Sequence, residues 1–301
     1  METAPRLVRE LLAISLLGFA PAILMAAVVG GLTILFNLRG QTASNAGRVG
    51  EPLRSPEAIR IARRTRRNMQ PSLLLSKGRR LGFSKLGGHP DLPSELTWPE
   101  GRDGQFRFLA QVDLADARTA GGPEWLPATG RIYAFHSEDN GSPDQVRVLY
   151  APAEASVAEA QPRDASAWPY DEQPIAFVRH DSFPSLDWLA EDVAVDEAEL
   201  DALVGLSTPD WNGPLHKLGG FPDELQDAPM AVVCERLFHG GGEDDDLEAA
   251  HKAARIWRLV LQIDSDPSLG TDFGGGRLYV FARRDDARRA RFDRTITLMQ
   301  T

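Results

Sequence analysis

The chain has 301 residues, 43% of them hydrophobic and 25% charged, with a formal net charge of −10. Those proportions belong to a folded globular protein and exclude a disordered chain as the default. The charge is unevenly placed: residues 38–85 carry 12 Lys/Arg against two acids, whereas residues 86–301 carry 19 basic and 39 acidic side chains. So acidic a body repels polyanions, which sets DNA and RNA aside as partners.

In chain order, residues 1–10 read as a short tail. From Leu11 to Phe36 no charged residue occurs over 26 positions. A helix of that length runs about 39 Å, enough to span a hydrocarbon core of about 30 Å with tilt. The apolar region of a cleaved signal peptide is shorter, about 7–15 residues. The expectation is an uncleaved transmembrane helix over 11–37, kinked at Pro21. Gly18, Ala22, Ala26 and Gly30 recur every fourth position, a small-residue face of the kind that lets helices approach closely. Arg39, Arg48 and Arg54 follow the span where only Arg6 and Arg9 precede it. The positive-inside rule then favours a single-pass inner-membrane protein with its body on the cytoplasmic side.

Residues 38–75 read as an Arg-rich linker. Ser55-Pro56-Glu57 is a helix start, with a capping hydroxyl, a proline at the first helical position and an acid in the first turn. Ala58, Ile61, Ala62, Thr65 and Met69 follow along one side, while Arg60, Arg63, Arg64, Arg66 and Arg67 cover the rest. Such a helix can rest on anionic lipid headgroups, form a solvated connector, or dock on the acidic body.

From residue 76 to 301 the chain reads as one body rich in β-structure. Phe106–Val112, Arg131–Phe135, Ile256–Ile263 and Arg277–Phe281 have strand composition. Asp139-Asn140-Gly141 is a hairpin-turn signal. Ser185–Leu203 and Leu247–Ala254 are the helical candidates, and strands and helices so segregated indicate an α+β fold. One three-part text occurs twice: Lys85-Leu86-Gly87-Gly88-His89-Pro90, Ala110-Gln111-Val112-Asp113 and Gly130-Arg131-Ile132-Tyr133-Ala134-Phe135 return as Lys217-Leu218-Gly219-Gly220-Phe221-Pro222, Leu261-Gln262-Ile263-Asp264 and Gly276-Arg277-Leu278-Tyr279-Val280-Phe281. The separations are 132, 151 and 146 residues, so the order is kept while the loops vary. The expectation is an internal duplication, with related halves at about 84–140 and 216–286 and an acidic insert over about 154–211.

Ser84-Lys85-Leu86-Gly87-Gly88-His89-Pro90, Leu92-Pro93, Trp98-Pro99 and Phe108–Asp113, with Lys217–Gly220, Leu261–Asp266 and Gly276–Phe281 in the second half, resemble the YwqG-like family of bacterial domains of unknown function. The resemblance covers about residues 76–298. It implies an α+β domain of two related β-rich halves with no established reaction, and an interaction or immunity-like role as in some relatives. The membrane helix, the linker and the insert depart from the family pattern.

The candidate binding residues are Gln111, Asp113, Gln262, Asp264, Lys85, Lys217, His89 and His216, all in or beside the repeated text. An amide inside an apolar strand must find hydrogen-bond partners. Gln111 and Gln262 therefore either bind backbone of their own half or, with Asp113 and Asp264, line a cleft between halves that holds a ligand. No nucleophile elbow, zincin motif or phosphate loop is present. His239-Gly240-Gly241-Gly242 lacks the nucleophile an oxyanion loop would serve, and six histidines show no metal-ligand spacing. Asp264-x-Asp266-x-Ser268 begins like a calcium loop, but Leu269 and Gly275 stand where the turn glycine and bidentate Glu belong, so a solvated turn is expected. The lone Cys234, in an apolar run, reads as a small buried hydrophobe. No catalytic residue, metal or cofactor is assigned. The leading expectation is a non-enzymatic interaction module, with a basic protein as the fitting partner for the acidic body. The alternative is an enzyme or small-ligand receptor using the cleft between halves.

Overall fold

The computed structural model describes residues 56–79, 82–137, 144–164, 167–184, 199, 213–226, 229–240 and 247–301. By its contacts the chain divides into Met1–Glu51 and Pro52–Thr301, and the second unit is the subject here. The expected membrane helix over 11–37, the hairpin turn at 139–141 and, apart from Glu199, the helix over 185–203 lie outside the described residues. Among the described residues no helix is long and apolar enough to cross a membrane.

The elements run α1 (Pro56–Thr65), β1 (Gln70–Lys77), β2 (Lys85–Leu86), β3 (Asp91–Pro93), β4 (Glu100–Gly101), β5 (Gly104–Gln105), β6 (Arg107–Asp113), α2 (Leu114–Thr119), β7 (Arg131–His136), β8 (Val146–Ala151) and β9 (Val157–Glu159). They continue with β10 (Gln173–Ser182), β11 (Lys217–Gly219), α3 (Met230–Phe238), α4 (Leu247–Ala254), β12 (Trp257–Asp264), β13 (Arg277–Arg283), α5 (Arg284–Arg288), a 3-10 turn (Phe292–Arg294) and β14 (Ile296–Gln300).

Ten strands form one antiparallel sheet in the order β14-β13-β12-β11-β1-β10-β2-β6-β7-β8. The long β1–β10 pair, in register from Gln70↔Ser182 to Lys77↔Ile175, stands at its centre. Four strands flank that pair on each side, and the flanks match in register. Lys85 faces Gln111 and Lys217 faces Gln262. Gln111 faces Tyr133 and Gln262 faces Tyr279. Each flank carries a register shift, between Phe108 and Ala110 in β6 and between Leu259 and Leu261 in β12.

Alternation along the strands sorts side chains to two faces. On the inner face Leu73, Leu75, Val112, Ile132, Leu218, Ile263, Leu278 and Val280 share one core across both flanks. On the outer face Phe108, Tyr133 and Phe135 are covered by Leu92, Leu96, Trp98 and Phe106, whereas Leu259, Tyr279 and Phe281 are covered by α3 and α4. The sheet curls until β8 meets the 3-10 turn near β14, with the rings of Tyr150 and Phe292 6.4 Å apart. The body is thus β-rich, with a nearly closed sheet and few helices.

Two sequence boundaries shift. The linker was drawn to residue 75, yet Gln70–Lys77 is a central strand whose Leu73, Leu74 and Leu75 are all buried. Three adjacent leucines are what a strand covered on both faces requires. The stretch 154–211 was read as an insert, yet it contributes β10, the other central strand. Its Pro174, Arg179, His180 and Asp181 hide that role, and Ala176, Val178, Arg179 and Asp181 are exposed.

Helix α1 docks on the body. Ile61 and Thr65, one turn apart, are fully buried, and Glu199, 2% exposed, takes Arg60 Nε and Arg64 Nη1, each at 2.7 Å. Of the three fates open to this helix, contact with an acidic group of the body is the one seen, while Arg63, Arg66 and Arg67 remain exposed.

Candidate functional site

Each flank builds the same polar node around its glutamine. Gln111 Nε2 donates to the Phe83 carbonyl at 2.6 Å and to Asp91 Oδ2 at 2.7 Å, and its Oε1 accepts the Asp91 N–H at 2.8 Å. Gln262 Nε2 donates to the Leu215 carbonyl and to Asp223 Oδ2, both at 2.9 Å, and its Oε1 accepts the Asp223 N–H at 2.9 Å. Tyr133 and Tyr279 donate their hydroxyls to the carbonyls of Asp91 and Asp223, at 2.8 and 2.7 Å. Burial pushes the Tyr133 phenol up to about 12 and moves Tyr279 in the same direction, so both stay donors.

The lysines close the nodes. Lys217 Nζ lies 2.6 Å from Asp223 Oδ2, and burial pulls its ammonium below the usual lysine range against the pull of Asp223. Lys85 Nζ lies 3.0 Å from Glu172 Oε2 and 3.6 Å from Asp91 Oδ2. Just before each lysine a side chain serves the following aspartate: Asp113 N–H donates to Ser84 Oγ at 3.0 Å, and Asp264 N–H to His216 Nδ1 at 3.2 Å.

The aspartates have separate duties. Asp113 caps α2, accepting from Ala115 and Asp116 N–H at 2.9 and 3.0 Å. Asp264 Oδ2 accepts the Leu215 N–H at 2.8 Å and faces Arg277 Nε at 3.0 Å. Because His216 Nδ1 accepts, its proton sits on Nε2, which donates to Asp266 Oδ2 at 3.2 Å. Burial lowers the His216 pKa from 6.5, outweighing Asp266 and Asp264. Burial opposes ionisation of Asp266, but hydrogen bonds from Ser268 and His216 hold its carboxyl below 3.8.

The turn at 264–272 exposes Pro267, Ser268, Gly270 and Asp272, as a solvated turn does, but turns Asp264, Asp266, Leu269 and Thr271 inward. Asp266 is 4% exposed, and its oxygens take Ser268 N–H and Oγ, His216 Nε2 and, at 3.5 Å, Gln173 Nε2. Protein donors thus fill the positions a cation would need. Among the described residues no group of three His, Cys, Asp or Glu could hold a metal ion. Cys234 is fully buried and its thiol pushed well above the ordinary range by burial. His89 is half-buried and its counterpart is Phe221, so no histidine recurs at that turn.

The structure therefore brings Lys85 with Gln111, and Lys217 with Gln262, but in opposite flanks rather than one cleft. Sequence reading passed over Asp91 and Asp223, the groups each glutamine clasps. Both follow the proline of the repeated turn at the same spacing from the lysine, a signal present in the text.

A groove of about 410 Å³ opens beside the second Gly-Gly turn. Its lining includes Ala231 and Ala254 of α3 and α4, Gly220, Phe221 and Pro222 of the turn, and the nearly fully buried Trp257, Leu259 and Phe281. Arg67, Arg255 and Arg258 bring positive charge to it, with Glu224 the single acid among the described residues. None of the eight sequence candidates lines it. The groove was invisible to motif reading, because its lining comes from six separated stretches.

No curated protein matches the chain. A family model described as "Domain of unknown function (DUF1963)" matches residues 84–300, the span from the first Lys-Leu-Gly-Gly turn through β14. That span contains both nodes and most of the groove, and the chain belongs to this family.

Proposed function

We propose that this protein is a non-enzymatic interaction module whose binding site is the groove between α3, α4 and the Gly220–Pro222 turn. The observation that carries the reading is a contrast in how polar groups are used. Both glutamine nodes spend their donors and acceptors on their own flank, whereas the groove is an open concavity with Phe221, Pro222 and three arginines in its lining. An apolar concavity with a few placed charges is the usual form of a recognition site. Gln111, Gln262 and Asp264 are buried in bonds to their own flanks and Asp113 caps α2 at the surface, so no observation favours the enzyme or receptor alternative.

The matched flanks, with equal registers and equal node bonds, support an origin by internal duplication of a YwqG-like half. In this reading residues 11–37 anchor the body at the inner membrane, and Arg63, Arg66 and Arg67 face anionic headgroups beside it. The acidic balance of residues 86–301 suits a partner of net positive charge, as an immunity-like role against a basic toxin would require, and the groove is a local exception to it.

The test is affinity capture with detergent-solubilised full-length protein, wild type against Arg67→Glu/Arg255→Glu. Both residues are exposed, so the variant should melt like the wild type. A specific partner retained by the wild type and lost by the variant supports the reading. Saturable substrate turnover abolished by a groove substitution would overturn it.

A further inference from the structure

Several arginines of this acidic body are met by carboxylates. Arg60 and Arg64 share Glu199, Arg277 faces Asp264 at 3.0 Å, and Arg291 pairs with Asp286. The groove beside the Gly220–Pro222 turn breaks that pattern. Arg67 comes from the turn after α1, and Arg255 and Arg258 from the junction of α4 and β12, so two distant stretches bring three cations to one concavity. Among the described residues neither Arg67 nor Arg258 has a carboxylate partner. Glu224 is one carboxylate against three guanidinium groups, and its Oε1 also accepts the Met230 N–H at 2.9 Å.

Arg258 is partly buried, and its Nη1 donates to the Arg255 and Trp257 carbonyls at 2.6 and 2.7 Å. Those bonds fix the guanidinium without neutralising it. Burial, and after it the charge of Arg284, pull it below the usual arginine range. A desolvated cation beside like charge is costly, and an arriving anion relieves that cost. A second group of the lining is also unserved. Gln70 Oε1 is buried and, among the described residues, accepts no hydrogen bond. A buried acceptor without a donor is unfavourable, and a hydroxyl on a ligand satisfies it.

We propose that the groove binds a hydroxylated phosphate ester, such as a glycerol phosphate group, with the phosphate on Arg67, Arg255 and Arg258 and a hydroxyl donating to Gln70. Guanidinium forks match phosphate oxygens in pairs, and three of them suit a phosphate better than a single carboxylate. The volume of about 410 Å³ falls within the range of small-ligand sites, about 300–1,000 Å³. Because residues 86–301 are net acidic, the arginines single out this face for an anion. The same group occurs in soluble esters and in lipid headgroups. This inference rests on the groove being the binding site and adds the chemistry of its ligand.

The full-length protein in non-ionic detergent is titrated by calorimetry with glycerol 3-phosphate, inorganic phosphate, glycerate and dihexanoyl phosphatidylglycerol. Saturable binding of glycerol 3-phosphate that weakens with salt is expected, tenfold or more tighter than glycerate. Arg258→Gln and Arg67→Glu/Arg255→Glu should each weaken it tenfold or more. Gln70→Leu should remove its advantage over inorganic phosphate, and melting curves confirm folding of each variant. Tighter binding of the phosphatidylglycerol supports the site with a lipid headgroup as the source, and weaker binding supports it with a soluble ester. Absence of saturable binding of either at millimolar concentration overturns the proposal. Binding unchanged in both arginine variants, or equalled by glycerate, also overturns it. If these ligands fail while a captured partner is still lost on Arg67→Glu/Arg255→Glu, the interaction module stands and only this ligand chemistry falls.

Discussion

Gln262 and Asp223 hold each other at two points: the amide donates to the Asp223 carboxylate at 2.9 Å and its oxygen accepts the Asp223 backbone N–H at 2.9 Å. The clasp pins the chain as it leaves the Lys217–Pro222 turn, so that Tyr279 can donate to the Asp223 carbonyl on the other side. Gln111 and Asp91 repeat it in the other flank. The repeated text is thus a folding device for holding a glycine turn against a sheet.

Replacing either glutamine with alanine should therefore destabilise the fold. Each substitution strands a buried carbonyl and a backbone N–H, a loss of about 1–3 kcal/mol. The two nodes share no partner, so the double variant should sum the single losses to within about 0.5 kcal/mol. Denaturant unfolding of the three variants measures this, and a stable double variant would contradict it.

The glycine turns should tolerate alanine unequally. Gly87 has φ +61°, and an added Cβ would overlap the Asp171 carbonyl oxygen, whereas Gly270 has φ +78° with nothing within 4 Å of that Cβ. Gly270→Ala carries only the left-handed penalty, about 1–2 kcal/mol. Gly87→Ala adds an overlap with backbone that cannot swing away, about 1–3 kcal/mol more. Equal melting temperatures for the two variants would refute the assignment of Gly87 to close backbone approach.

Acid should weaken the fold in two stages. His216 and His180 both have pKa values lowered from 6.5 by burial, with Lys217 adding to the effect at His180. The unfolded chain then binds more protons, so the stability they contribute is complete above pH 6.5 and lost as pH falls below it, by at most about 1.4 kcal/mol per pH unit per proton. Asp266, held below 3.8, contributes above that value and loses its share under stronger acid. His216→Asn keeps an acceptor for the Asp264 N–H and should shallow the first stage, with His180→Asn removing the remainder. An unchanged slope below pH 6.5 in the double variant would show that other groups govern it.

Helix α1 should come loose without Glu199. That carboxylate is 2% exposed beneath Arg60 and Arg64, themselves 53% and 39% exposed. Because both cations are half-solvated, Glu199→Gln should weaken docking by about 1–2 kcal/mol, less than a fully buried pair. Faster trypsin cleavage at Arg60–Arg67, at unchanged rates elsewhere, is the expected result. Uniform acceleration across the chain would indicate global destabilisation.

Much of the fold was legible because strands announce themselves locally. Phe106–Val112 and Arg277–Phe281 carry β-branched and aromatic residues at a period of two, and β6 and β13 stand there. The α4 helix over Leu247–Ala254 was equally legible, its apolar positions recurring at helical spacing. The twice-written text also located both nodes, since the lysine and aspartate of each lie beside a repeated glycine pair and its glutamine and tyrosine in the two repeated strands.

By itself, then, the sequence determined the strands, the paired turns and the burden on two amides inside apolar strands, since propensity, φ > 0 at glycine and polar burial are properties of short stretches. Tertiary structure alone decided that β1 and β10 meet at the centre, because their pairing joins residues up to 112 apart, Gln70 to Ser182, and no local pattern encodes a partner. It also decided what surrounds each arginine. Arg107 and Arg258 read alike in the sequence, and only the fold gives one of them Tyr170 and leaves the other facing a groove.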